Sequence, residues 1–232
     1  MNAPVLFDAV LFDLDGTLVA TERFWVAAAT RGAQRAFAEL GLAREIPTAD
    51  EWLFMVGLPL ERAFELVFGD LPPEQRSVVM SRCVEEEQAA VRAGGAALMP
   101  GALETLTELR ANGLRLGIES NCSQRYLDSM LKRLKLADYV DAARCLESPG
   151  ICTKADMLAD LLRVFATRSA VMVGDRATDA QAAHANALPH VHLASGLAPS
   201  GERVDCEARI PSLAHLPELL RGRARWIEGA LD

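Results

Sequence analysis

Four short stretches of the chain carry side chains suited to handling a phosphate group. The first is Phe12-Asp13-Leu14-Asp15-Gly16-Thr17-Leu18, two carboxylates one residue apart, placed directly after the apolar run Ala9-Val10-Leu11-Phe12. The second is Ser120-Asn121, where a hydroxyl and the following backbone N–H can hold phosphoryl oxygens. The third, Lys154, opens an expected helix, so its ammonium adds to the positive helix terminus. The fourth is Gly174-Asp175-Arg176-Ala177-Thr178-Asp179, which follows the apolar Ala170-Val171-Met172-Val173. Carboxylates at the end of a buried strand are costly unless a cation or hydrogen bonds compensate them. A phosphate ester repels an anionic nucleophile, so a carboxylate attacks phosphorus only once charge has been neutralised. A hard cation with oxygen ligands does this, and Mg²⁺ with few protein carboxylates plus waters suits the task.

A sheet must bring these stretches together. Apolar runs predict strands at about 9–13, 114–119, 141–145, 169–173 and 190–193. Between and after them, helical patterns run over about 101–111, 123–135, 154–166, 177–187 and 213–221. Such alternation implies an α/β fold, a doubly wound parallel sheet with a Rossmann-like core. Ligands then bind outside the carboxyl ends of the strands, where all four stretches fall. Residues 20–93 contain no convincing strand: helical patterns cover about 21–40, a short piece from Pro47 through Met55, then 60–68 and 73–92. They read as an all-helical insertion, with Gly94-Gly95 beginning the return linker. The expected domains are an α/β catalytic core from 1–19 and 95–232 and a helical cap from 20–94. Thr21 is expected to cap the first cap helix and Gly41 to close it.

Composition narrows the partners. A formal net charge of −8 with no long basic run disfavours nucleic acid and anionic membranes. Five cysteines without CxxC spacing read as reduced thiols, with neither a zinc site nor a disulfide framework. No stretch approaches the ~18 apolar residues that span a bilayer, and no signal peptide is visible, so the cytoplasm is the expected location.

The Phe-Asp-Leu-Asp-Gly-Thr-Leu stretch, with Ser120-Asn121, Lys154 and Gly174-Asp175 following in that order, resembles the haloacid dehalogenase-like hydrolase superfamily. Pro100-Gly101-Ala102 opening a helix, Ser195-Gly196 after a strand and a late Leu-rich helix are similar to it too. The resemblance points to its helical-cap phosphatase branch, which is phosphoglycolate phosphatase- or β-phosphoglucomutase-like. It implies Asp13 as nucleophile and Mg²⁺ ligand, and Asp15 as a ligand through its backbone carbonyl and as general acid, then base. It further implies Ser120, Asn121 and Lys154 on the substrate phosphate, Asp175 on the metal, and Asp179 in its second shell. The expected activity is Mg²⁺-dependent hydrolysis of a small phosphorylated metabolite through an aspartyl-phosphate, by a monomer or homodimer. The alternatives are a phosphomutase of the same superfamily and a non-catalytic regulatory module on this fold. A dehalogenase is disfavoured because Asp15 is present, and a phosphonatase because the cap has no lysine.

Two positions depart from the family pattern: Ala20, where many relatives carry an acidic residue, and Glu119, at a usually apolar place. Because strand neighbours alternate faces, Glu119 is expected to point away from the phosphate and pair with an arginine. Blander readings suit the remaining residues. His190 and His192 lack a third ligand, Cys122 is an inert filler, Arg62 is solvated, and Trp25, Trp52, Phe54 and Met55 are core.

Overall fold

The computed structural model describes residues 7–194, 197–199 and 201–222. The first apolar run forms β1 (Ala9–Asp13), every residue of which is buried. It is flanked by β2 (Arg115–Ser120) and β4 (Ala170–Gly174), and outward lie β3 (Ala142–Cys145), β5 (His190–Leu193) and β6 (Ala208–Ile210). All neighbouring pairs are parallel, in the order β3-β2-β1-β4-β5-β6. The order reverses between β1 and β4, and a crevice opens there at the carboxyl ends of the strands. Strand β6 escapes the sequence reading because it is three residues long, with an exposed Arg209 at its centre.

Alternation along β1 feeds two separate cores. Val10 and Phe12 join Leu116, Ile118, Val171 and Val173 on one face. That face is covered by α5 (Ala102–Ala111), α6 (Gln124–Arg133) and α9 (Leu216–Arg221). Ala9 and Leu11 join Met172 on the other, under α7 (Lys154–Val164) and α8 (Ala177–Ala185). The last helical segment, expected to run from 213, is a 3-10 turn over Leu213–His215 followed by α9. Ser195-Gly196 lies outside the described residues.

Between β1 and α5 the chain forms α1 (Glu22–Leu40), α2 (Ala49–Phe54), α3 (Leu60–Phe68) and α4 (Pro73–Arg92). These helices bury a cluster of their own around Trp25, Phe37, Trp52, Phe64 and Phe68. Each such ring contributes about 2 kcal/mol of burial, before the entropy of ordering it is counted. Trp25 and Trp52 meet edge to face at 6.1 Å, and the Trp25 indole donates to the Trp52 carbonyl at 2.9 Å. Helix α1 ends at Gly41, with the Leu42 N–H returning to the Phe37 carbonyl. Its start differs from expectation. Thr21 caps nothing because its backbone is helical (φ −64°, ψ −31°) and not extended as a cap's is, and its hydroxyl instead donates to Asp15 at 2.6 Å. Entry and exit of the helical segment lie side by side, tied by Ala20 N–H to Ala97 O at 2.9 Å. Among the described residues no helix is long and apolar enough to cross a membrane.

Candidate active site

Asp13 ends β1 on the α7 face, fully buried, with Asp175 just past β4 and Asp179 in the first turn of α8. One carboxylate oxygen from each of the three lies within 4.8 Å of the others. Two glycines make this approach possible. A Cβ on Gly16, whose φ is +84°, would lie 2.5 Å from an Asp175 oxygen; one on Gly174 would lie 2.2 Å from an Asp179 oxygen. Thr17 donates to Asp175 at 3.2 Å. Both Asp179 oxygens are engaged, by the Lys154 ammonium at 2.5 Å and the Arg176 N–H at 2.8 Å.

Lys154 is the first residue of α7, whose start is fixed by a capping box between Thr153 and Asp156. Its ammonium donates to Asp13 at 2.7 Å and also lies 3.1 Å from Glu119. Burial works against that ammonium, but Asp13, Asp179 and Glu119 outweigh it and hold Lys154 well above the usual lysine value. The carboxyls are pushed the other way. Burial, partly offset by Lys154 and reinforced by Asp179, lifts Asp13 to about 7. Burial and then the neighbouring Asp13 and Asp179 raise Asp175 well above the carboxylate range.

Glu119 corrects an expectation. It does alternate away from Ser120, but the β1–β2 register pairs it with Asp13, on the face where Lys154 enters. Its partner is therefore Lys154 and not an arginine. The contact is close enough for charge attraction but poorly angled for a hydrogen bond, so both Glu119 oxygens lack a hydrogen-bond partner among the described residues. Burial holds its pKa well above the carboxylate range. Lys154 keeps Asp13 and Asp179 without it, so Glu119→Leu is expected to stabilise the protein by about 1–3 kcal/mol. Urea unfolding measures this; a loss of stability would mean that Glu119 is needed to balance Lys154.

Asp15 faces the opposite side of the turn. Thr21 and Tyr126 both donate to its Oδ1 at 2.6 Å, and burial raises its pKa despite those bonds. It opens into a cavity of about 100 Å³, walled by Ser120, Asn121 and Tyr126 from the core and by Trp25, Met55 and Glu87 from the helical segment. Two core side chains hold the segment over it. The Asn121 amide donates to the Gly57 carbonyl at 2.9 Å, while Arg176 donates to the carbonyls of Val56 and Phe54 and to Glu202.

The structure therefore brings Asp13, Asp15, Ser120, Asn121, Lys154, Asp175 and Asp179 to one end of the sheet. Sequence reading took Thr21 only for a helix cap and missed Tyr126 and Glu87, whose signal is only their position on helices that meet there. Trp25 and Met55 serve both core and cavity, Trp52 is core, and Phe54 is exposed and outside it. Arg62 pairs with Glu65 and lines a separate hollow. His190 and His192 are buried, and burial lowers each to about 4. Burial also holds the Cys122 thiol well above its usual value, in keeping with an inert filler.

Donors that are all carboxylate oxygens fit a hard divalent cation. One buried Asp13 oxygen, Oδ2, has no hydrogen-bond partner among the described residues. Asp13, Asp179 and Glu119 share the Lys154 ammonium, and in the Asp13-Asp175-Asp179 cluster burial and mutual repulsion lift Asp13 and Asp175 toward neutrality.

Comparison with known proteins places the chain among relatives. A phosphoglycolate phosphatase of Nitrosospira multiformis is 29% identical over 95% of this chain and 99% of its own. That of Escherichia coli K12 is 27% identical over 84% of each. The fold matches a predicted phosphoglycolate phosphatase from Haemophilus somnus with a TM-score of 0.79 at 18% identity, over 92% of this chain and 98% of that one. CbbY from Rhodobacter sphaeroides, solved in complex with phosphate, matches with a TM-score of 0.73 at 22% identity, over 90% and 96%. The haloacid dehalogenase-like hydrolase model matches residues 10–191, which take in most of the sheet, and the chain belongs to that family.

Proposed function

We propose that this protein is a Mg²⁺-dependent phosphatase that hydrolyses a small phosphorylated metabolite through an aspartyl-phosphate on Asp13. The observation that carries this reading is the division of labour between two carboxyls one residue apart. Asp13 faces Lys154 and the acidic cluster, while Asp15 faces the cavity. The names of the curated relatives support phosphomonoester chemistry.

In this reading the substrate phosphate rests against the Ser120 hydroxyl, the Asn121 N–H and the Lys154 ammonium. The Asp13 carboxylate attacks phosphorus, and the bond to the alcohol oxygen breaks as Asp15 gives that oxygen a proton. Thr21 and Tyr126 both hold Oδ1, which leaves Oδ2 to carry the proton. Asp15 then takes a proton from water, the water oxygen attacks the phosphorylated Asp13, and free phosphate and the Asp13 carboxylate return. Asp13, Asp175 and the Asp15 backbone carbonyl would hold Mg²⁺, with Asp179 orienting Lys154 and the loop behind it. Bound there, the ion neutralises phosphate charge and keeps Asp13 ionised.

Residues 20–94 act as a cap that excludes bulk water. Replacing them with a short linker should leave a soluble α/β core with weak activity on an activated aryl phosphate; an insoluble product would make the segment integral to folding. The reading carries with it a cytoplasmic location and a monomer or homodimer.

Phosphate release from phosphorylated metabolites, with and without Mg²⁺, tests the whole. Free phosphate as the main product separates a phosphatase from a phosphomutase. Millimolar Mg²⁺ should also raise the melting temperature, since a ligand of the folded state stabilises by RT ln(1 + [L]/Kd), about 2.7 kcal/mol at one hundred times Kd. Asp175→Asn should remove most of that rise. An equal rise in the variant would exclude Asp175 as a ligand.

A further inference from the structure

The cavity that Asp15 opens into has an uneven charge. Its described lining includes two carboxyls, Asp15 and Glu87, and no arginine, lysine or histidine. Three cations of the core and the helical segment are committed elsewhere. Lys154 is shared among Asp13, Asp179 and Glu119, Arg176 is bound to Glu202 and to carbonyls of the helical segment, and Arg62 pairs with Glu65 in a different hollow. Glu87, half-buried on α4, faces Asp15 across the cavity beside Gln88, while Trp25, Met55 and Leu58 supply an apolar wall.

Building on the phosphatase reading above, we propose that the site selects a phosphomonoester whose alcohol portion carries hydrogen-bond donors and no negative charge. Glu87 and Gln88 would read that portion. The phosphate is anchored at Ser120, Asn121 and Lys154, so the alcohol portion projects past Asp15 toward the helical segment. A hydroxyl or an ammonium there donates to the Glu87 carboxyl, and its carbon chain lies on the apolar wall. A carboxylate in the same place would give up its hydration to a lining whose described residues offer it no cation, and a buried charge without a partner costs several kcal/mol. Burial, and then the charge of Asp15, push Glu87 up to about 8, so at neutral pH it stands chiefly as an uncharged carboxyl that can both accept and donate a hydrogen bond. Charge at this cavity thus argues against phosphoglycolate as the preferred substrate, even though the curated relatives carry that name.

Three short esters make the test: 2-phosphoglycolate, glycerol 3-phosphate and 2-aminoethyl phosphate. Each is assayed with Mg²⁺ as a substrate and as a competitor of p-nitrophenyl phosphate. Phosphoglycolate is expected to be the poorest by about tenfold or more in kcat/KM or in inhibition constant. Glu87→Gln, which keeps an uncharged hydrogen-bonding group, should leave most of that gap, and Glu87→Arg, which supplies a cation, should close or invert it. Because the readout is a ratio between substrates, it is independent of how much active protein each variant yields. Phosphoglycolate acting as well as or better than the other two, or a ratio that Glu87→Arg leaves unchanged, overturns the inference while the phosphatase reading stands. Absence of phosphate release from every ester, p-nitrophenyl phosphate included, overturns the phosphatase reading and the inference with it.

Discussion

Asp13→Asn is expected to keep the fold and lose turnover by more than about a thousandfold. The amide has the shape of the carboxyl and its oxygen can still accept from Lys154, which in the native protein reaches Asp13 at 2.7 Å. Lys154 also retains Asp179 and Glu119, so no buried charge is left without a partner. Burial already lifts Asp13 to about 7, and a neutral amide escapes that desolvation. The melting temperature should therefore hold or rise while activity disappears. Asn lacks the charge to attack phosphorus and is a poorer metal ligand than the carboxylate. Steady-state phosphate release and thermal melting, measured on the same preparation, check both halves. Retention of more than a few per cent of activity, with contamination excluded, would remove Asp13 as the nucleophile.

The sheet was legible in the sequence because its strands are buried on both faces and read as apolar runs; Ala9–Phe12 and Ala170–Val173 are the clearest. The four polar stretches were legible for a related reason, since each ends such a run or opens a helix at the same end of the sheet. Register was not legible. Only the pairing of Asp13 with Glu119 decides that Glu119 meets Lys154, and no local pattern announces which residues of two strands lie side by side. Thr21 misled for a similar reason. As a helix-start threonine it has the chemistry of a cap, but the tight turn after β1 holds its backbone in helical geometry and brings Asp15 within 2.6 Å to accept from its hydroxyl. Tyr126 and Glu87 lie 111 and 72 residues from Asp15 along the chain, on helices whose own periodicity says nothing of that meeting. Contacts of this kind belong to packing between helices and sheet, where single-sequence patterns end.

Asp15→Asn is expected to divide the reaction into a step that survives and one that does not. The hypothesis rests on the one-residue spacing of Asp13 and Asp15 and on their opposite orientations, one toward Lys154 and one toward the cavity. The Asn carbonyl can still accept from Thr21 and Tyr126, so the side chain keeps its place while losing the proton it would give. A metabolite alcohol is a poor leaving group and needs that proton, so hydrolysis of alkyl esters should nearly vanish. A nitrophenolate leaves without one, and p-nitrophenyl phosphate should still phosphorylate Asp13. The second step needs a base for water, which Asn cannot supply, and the enzyme should stall after releasing about one equivalent of nitrophenolate per site. Rapid-mixing absorbance records the burst, and mass spectrometry should find the phosphoryl group on the peptide that contains Asp13. Full steady-state turnover of the aryl ester without a burst would show that Asp15 is not the acid and base, and the two-step mechanism would fail.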